Sequence, residues 1–355
     1  MKTKKIISML LSVVVLSALA VGCGTKTPTP VETPTGTQTP AETPADTTGS
    51  KKIGVLIYKF DDTYISSVRQ ALEALDKADD SYEFVMQDGQ NNQGTQNDQL
   101  DNLISQGVSA LVVNIVDIGA AQNVIDKAKT ANLPVIFFNR EPDAKVLSAY
   151  DKARFVGTKP EEAGIIQGEM MATLFADKKY DRNGDGVIEY VLLHGGLDNP
   201  EAVARSTFSV KTMEEKGVKT KELAMQVADW DNEKAKTAVD GWLQKYEADI
   251  DLVIANNDGM ASGAISSLKA MGYNTGDATK YIPVFGVDAT EDAKNLIKEG
   301  SMAGTVMQDA AGMAKGISDL AKNAANGKDF LDGTSYKYDD SKISVRIPYQ
   351  AYTGK

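Results

Sequence analysis

The chain has 355 residues, 42% of them hydrophobic, with 38 Lys and Arg against 49 Asp and Glu and a formal net charge of -11. Such an acidic chain lacks the basic footprint that nucleic acid requires, and its charge favours a soluble monomer. One Cys and one His leave no internal disulfide and no multi-His zinc site.

Residues 1–22 read as a signal peptide. Lys2, Lys4 and Lys5 make a positive start, and residues 6–20 form an apolar run too short for a stable bilayer span. The run ends at Ala20-Val21-Gly22-Cys23, small residues before a cysteine, which is the mark of a lipoprotein cleavage site; Ala20 stands where such sites usually carry Leu. Acylation of Cys23 accounts for the lone thiol. Residues 23–50 are rich in Thr and Pro and nearly free of large apolar side chains, so they read as an extended spacer between a membrane and a globular body. Removing residues 1–22 takes away three lysines and no acid, which moves the formal charge from -11 to -14.

The body, residues 51–355, is long enough for two domains. Short Val- and Ile-rich runs predict buried strands at 53–58, 83–87, 110–116, 134–139, 189–193, 251–256, 283–288 and 304–307. Helical spacing lies between them. Ile65, Val68, Leu72 and Leu75 share one face opposite Arg69, Glu73 and Asp76, and similar patterns cover 123–129, 163–175, 233–243 and 261–271. Strand alternating with helix predicts an α/β fold of two doubly wound parallel sheets.

Ligands of such sheets sit beyond the carboxyl ends of the strands. Those ends carry Asp61 and Asp62, Asn114 and Asp117, Asn199 and Glu201 with Arg205 one turn on, Asn256 and Asn257, Asp288, and Gln308 with Asp309. Any one of them can be no more than a helix N-cap. Together they accept from and donate to many hydroxyls at once, which a sugar requires. Tyr64 and Trp230 lie outside the strand cores, where a flat ring can pack on the C–H face of a pyranose or simply cap the core.

The segments IGVLIYKFDDTYISSVRQALEAL, QNDQLDNLISQGVSALVVNIVD, LPVIFFNREP, YVLLHGGLDNPEAVARSTF, DLVIANNDGMASGAISSLKAMG, IPVFGVDATEDA and MAGTVMQDA run through the body in one order. In them the chain resembles the periplasmic galactose/glucose-binding proteins, a sugar-binding group with the type I, LacI-like periplasmic fold. The resemblance implies two domains joined by three crossings and closing on one sugar, with 51–133 plus 308–343 in the first and 134–307 plus 344–355 in the second. It implies sugar contacts at Asp62, Tyr64, Asn114, Asn199, Glu201, Arg205, Trp230, Asn257, Asp288 and Gln308. Asp62 matches the family aspartate that meets the carbon-four hydroxyl in either orientation, and Trp230 matches the stacking tryptophan. Tyr64 replaces Phe and adds a hydroxyl. Asn199 replaces His, Glu201 replaces Asp and Gln308 replaces Asn, which leaves the class intact and opens the identity of the sugar.

A second motif follows the spacing of a calcium loop. Asp181, Asn183, Asp185 and Glu189 fall at positions one, three, five and nine, Gly186 at six, and the carbonyl of Val187 at seven. Position twelve, which an EF-hand fills with Glu, is Leu192. The resemblance implies that Asp251 supplies the missing acid where the family has Glu, with Asp249 as a possible helper, and that Ca2+ serves structure rather than chemistry.

No enzyme signature emerges. His194 stands alone, no G-x-S-x-G elbow follows a strand and no phosphate-loop motif is present. Asp62, Glu201 and Asp288 could imitate a glycosidase pair, which chromogenic glycosides would reveal. The expected role is a lipid-anchored, extracytoplasmic receptor, monomeric, touching the membrane only through its anchor. It would bind glucose and/or galactose by hinge closure and deliver it to an ABC permease complex. A pentose, a short oligosaccharide end, or sensing through a chemoreceptor or sensor kinase stays open.

Overall fold

The structure, a computed structural model, describes residues 50–354; the signal peptide, Cys23 and nearly all of the spacer lie outside the described residues. Among the described residues no helix is long and apolar enough to cross a membrane.

The first lobe is built from β1 (Lys51–Ile57), α1 (Thr63–Lys77), β2 (Tyr82–Asp88), α2 (Gln93–Ser105), β3 (Ala110–Val113), α3 (Ala121–Thr130), β4 (Val135–Phe138), α4 (Ala144–Ser148) and β5 (Ala153–Gly157). The chain then crosses at residues 158–159 into α5 (Pro160–Phe175), β6 (Ile188–His194), α6 (Pro200–Glu215), β7 (Thr220–Val227), α7 (Asn232–Tyr246), β8 (Leu252–Ala255), α8 (Asp258–Ala270), β9 (Val284–Asp288), α9 (Glu291–Lys298) and β10 (Gly304–Gln308). It returns at Asp309 to α10 (Ala310–Ala325) and β11 (Ser344–Arg346), and crosses a third time at 347–348 to β12 (Tyr349–Tyr352).

The first sheet has the order β11-β5-β4-β3-β1-β2 and the second β12-β10-β9-β8-β6-β7. All neighbours are parallel except β12, which runs antiparallel to β10. Each sheet therefore reverses its strand order once, between β1 and β3 and between β6 and β8, and a crevice opens at such a reversal.

Both faces of each sheet are covered, which explains why the central strands read as unbroken apolar runs. In the first lobe Ile53, Val55 and Ile57 meet Ile65, Val68 and Leu72 of α1 and Ile317 of α10 on one face. Leu56, Leu111 and Val113 meet Leu100 and Leu103 of α2 and Val124 of α3 on the other. In the second lobe Val191 and Val253 face α7 and α8, and Leu192 and Ile254 face Met171 of α5 and Met213 of α6.

The sequence-based boundaries at 133/134 and 343/344 need correction. β4 pairs with β3 through Val112↔Ile136, and β11 pairs with β5 through Val345↔Val156, so both strands belong to the first lobe. The boundary at 307/308 falls at the last residue of β10, beside the crossing at Asp309.

Candidate functional site

A narrow cavity, with a volume of about 40 Å3, lies between the lobes at the carboxyl ends of both sheets. The first lobe contributes Tyr58 just after β1, Asp62, Tyr64 and Ile65 at the start of α1, and Asn139 and Arg140 just after β4. Asp62 caps α1, its Oδ1 accepting from the backbone N–H of Tyr64 at 3.0 Å and of Ile65 at 2.8 Å. Its Oδ2 accepts from the Tyr58 hydroxyl. Burial, reinforced by the Asp62 carboxylate, pushes that hydroxyl well above the usual tyrosine range, so it stays a donor. The Arg140 guanidinium sits 3.6 Å from the centroid of the Tyr58 ring and donates to the Val116 carbonyl at 2.7 Å.

The second lobe contributes Asn199, Glu201, Arg205, Trp230, Asn257, Asp288 and Gln308. Asn199 caps α6 and Asn257 caps α8, so these residues, like Asp62, both start a helix and face the cavity. Arg205 is 3% exposed and organises this wall. Its Nη1 donates to the Asn256 carbonyl at 2.7 Å and lies 4.0 Å from Asp288 Oδ1. Its Nη2 donates to Gln308 Oε1 at 3.0 Å and to the Tyr349 hydroxyl at 2.8 Å, and lies 3.4 Å from Glu201 Oε2. Burial alone would weaken its charge, but Tyr349, Glu201 and Asp288 outweigh it and hold the guanidinium protonated. Burial lifts Asp288 well above the usual carboxylate range against the pull of Arg205.

Two segments of this wall are strained. Asp229 and Trp230 have φ of 50° and 63°, and Asp288 and Ala289 have φ of 129° and 55°, values that side chains with a Cβ seldom adopt. The first turn aims the Trp230 ring across Gly195, where an added Cβ would meet the indole at 2.3 Å; only glycine permits that approach. The second is fastened by Asp258, whose Oδ2 accepts from the Thr290 N–H at 2.8 Å and whose Oδ1 accepts from the Thr305 hydroxyl at 2.6 Å.

Three buried polar atoms of this wall have no protein partner: Arg205 Nε, Asp288 Oδ2 and Gln308 Nε2. An unpaired buried polar atom costs about 1–3 kcal/mol. Two donors and an acceptor, together in one cavity beside an indole, are an invitation to a polar molecule with an apolar face.

Nine of the ten residues expected at a sugar line the cavity. Asn114 does not. It is fully buried beneath, its Nδ2 donating at 3.2 Å to both the Phe138 carbonyl and Asn139 Oδ1, and its Oδ1 accepting from Tyr58 N–H at 3.4 Å. It braces the neighbouring strand ends. The Tyr64 hydroxyl, expected as a polar handle, is spent on the Met313 thioether at 3.5 Å. Sequence reasoning missed Tyr58, Ile65, Asn139 and Arg140; their positions directly after β1 and β4, or in the first turn of α1, were the available signal. His194 lies off the cavity lining, its Nδ1 accepting from Gly196 N–H at 3.1 Å, and burial lowers its pKa.

The loop at 181–189 folds inward as its spacing predicts. Asp181 accepts from the N–H groups of Gly184 and Gly186 at 2.7 and 2.8 Å, Asn183 from that of Asp185 at 2.9 Å, and Asp185 from that of Val187 at 2.8 Å. Gly186 has φ of 83°, the conformation that position six demands. Glu189 is 3% exposed and its Oε1 accepts from Lys221 Nζ at 3.2 Å. Asp251 accepts on one oxygen from Arg182 N–H at 2.8 Å and on the other from Glu189 N–H at 3.0 Å, leaving each oxygen a further lone pair. Among the described residues no three His, Cys, Asp or Glu side chains already converge on one point. A hard divalent ion takes such oxygen side chains, and here Glu189 already meets the Lys221 ammonium on Oε1 and the Asn183 amide on Oε2 at 3.3 Å.

The comparisons with known proteins agree with this architecture. The model of the periplasmic binding protein domain matches residues 53–329. The D-galactose/methyl-galactoside binding periplasmic protein of Haemophilus influenzae is 42% identical over 300 residues, covering 84% of this chain and 88% of that protein. The ribose import binding protein of Bacillus subtilis is 28% identical over 284 residues, covering 79% and 85%. An ABC transporter solute binding protein from Bacillus halodurans C-125, solved with bound myo-inositol, has a TM-score of 0.71 at 29% identity, covering 86% of this chain and 95% of that one. With most of its body matched in sequence and its two sheets matched in fold, the chain belongs to the periplasmic binding protein family.

Proposed function

We propose that the protein is the extracytoplasmic sugar receptor of an ABC importer and binds galactose or glucose between its lobes. The observation that carries this reading is the trio of unpartnered buried atoms, Arg205 Nε, Asp288 Oδ2 and Gln308 Nε2, beside the Trp230 ring. Neighbouring hydroxyls of a pyranose can accept from the two donors and donate to the carboxylate, while its C–H face packs on the indole. The name of the 42% identical relative supports the hexose. The chain works as a monomer, tethered through lipid on Cys23 with residues 24–50 as spacer. Asp181, Asn183, Asp185, the Val187 carbonyl and Glu189, with Asp251, hold a structural Ca2+ that pins their loop to the second lobe.

Isothermal titration of residues 51–355 with galactose, glucose, xylose and cellobiose tests the assignment. One-to-one binding of a hexose is the expected result. Heat only with xylose or cellobiose would mean that Asn199, Glu201 and Gln308 have re-specified the cleft, and silence with all four would sink the sugar reading. For the metal, added Ca2+ should raise the unfolding midpoint and a chelator reverse it; an unchanged midpoint would sink the metal reading.

A further inference from the structure

Among the described residues, three stretches of backbone join the lobes: 158–159, Asp309 and 347–348. Side chains at all three meet in one buried knot. Thr158, on the first, is 1% exposed and donates from its hydroxyl to Glu201 Oε1 at 2.6 Å. Tyr349, directly after the third, places its hydroxyl 3.0 Å from Glu201 Oε2 and 3.1 Å from Thr158 Oγ1. Gln308, directly before the second, accepts from Arg205 Nη2, the nitrogen that also donates to Tyr349. Outside the knot, Arg346 donates to the Thr158 carbonyl at 2.7 Å and grips Glu141 through both terminal nitrogens.

Counting protons fixes how the knot is wired. The Thr158 proton goes to Glu201 Oε1. Tyr349 has one proton and two acceptors in reach, and Thr158 Oγ1 already donates. The arrangement that satisfies both Glu201 oxygens sends the Tyr349 proton to Oε2 and lets Arg205 donate to the Tyr349 oxygen. Glu201 is thus met by one hydroxyl from the first crossing and one from beside the third, and Arg205 is fastened to residues beside the second and third. Neither Thr158 nor Tyr349 lines the cavity, yet Arg205 and Glu201 do. A change in the angle between the lobes must move the crossings, and the crossings are bonded to the pair that faces the ligand.

We propose that Thr158 and Tyr349 are positioning residues whose hydroxyls tie the Arg205–Glu201 pair to the crossings and, through that pair, set the resting angle between the lobes. This rests on the cleft being the ligand site, as proposed above.

The test is Tyr349→Phe in the full chain, with Thr158→Val as the second variant and Tyr352→Phe, on the same strand but outside the knot, as control. Galactose and glucose titrations, ligand-free X-ray scattering and thermal unfolding are measured on each. Tyr349→Phe is expected to raise Kd about tenfold, the size of one lost charge-assisted hydrogen bond, and by the same factor for both hexoses. Its ligand-free scattering should shift to a larger radius of gyration, while the unfolding midpoint falls only by the few degrees that one lost buried hydrogen bond entails. Thr158→Val should move both readouts in the same direction, and it decides the matter if Tyr349→Phe does not fold. Parental affinity together with parental scattering in the variants would overturn the proposal. So would a loss confined to one hexose, which would make Tyr349 a direct contact. If the parent binds no sugar, the functional reading falls, and the ligand-free scattering of the variants still decides the coupling.

Discussion

The two walls of the cleft are built on the same strand order and treat their polar groups in opposite ways. On the first wall Asp62 is spent on two helix N–H groups and on Tyr58, and Arg140 on carbonyls and an aromatic face. On the second, Arg205, Asp288 and Gln308 each keep one buried atom without a partner. A saturated wall can offer shape and selectivity with little change on binding. An unsaturated one gains free energy only when the ligand arrives, because it carries the desolvation cost of its open atoms beforehand. The second wall should therefore dominate affinity.

Arg205→Met gives the largest test of that contrast. It leaves Glu201 and Asp288 without their buried counter-charge, and removing one partner of such a pair costs about 3–5 kcal/mol, so binding should weaken by about a hundredfold to several thousandfold. Titration calorimetry would show it, and a fall in the unfolding midpoint should accompany it. Retained hexose affinity would break the comparison outright.

Asp62→Ala should do less. The α1 cap is worth about 1 kcal/mol of stability, and affinity should fall by about tenfold. The informative readout is the ratio of glucose to galactose affinity, which should change here and stay fixed in Tyr349→Phe. An effect on affinity as large as that of Arg205→Met would show that the first wall is not the passive one.

The last test concerns pH and is read on stability rather than affinity. Burial lifts Asp258, which fastens the strained Asp288 turn, from 3.8 to about 7. A raised acid binds more protons folded than unfolded, so its contribution to stability is complete below pH 3.8 and is lost as pH rises through about 7. Between those limits the ligand-free parent should lose stability relative to Asp258→Asn, read as the difference between their unfolding midpoints. Parallel pH profiles would show that Asp258 titrates as an ordinary carboxyl and that the second wall is less dry than its geometry implies.

The sequence made most strands plain because they are apolar on both faces; β1, β2, β3, β4, β6, β8, β9 and β10 all fall on predicted runs. It hid β5, a central strand whose short run is broken by half-buried Arg154, β7, an edge strand with exposed Lys221, Glu222 and Gln226, and β11 and β12, which are too short to show a period. The switch between lobes was illegible for a related reason. The crossing at 158–159 has no Gly- or Pro-rich linker, only Pro160 as the first residue of α5, and such a proline reads as an ordinary helix start. In the cleft, residues at strand ends were legible as a class, but a strand-end amide can turn into the cavity, as Asn257 does, or down into the protein, as Asn114 does, and only packing decides. Tyr349 and Thr158 carry no local signal, since their role depends on two crossings meeting in space.

The placement of β11 and β12 also sets an order of events for a chain that emerges N-terminus first. The first sheet cannot gain its outer strand until residue 346 is available, nor the second until residue 352, although the rest of the second sheet ends at Gln308. Neither lobe can finish as an independent unit early in synthesis, as domains strung in sequence commonly do. The long-range pairings Val345↔Val156 and Val306↔Ala351 come last, and such contacts form slowly. A protein wired this way completes both sheets only once its tail is available.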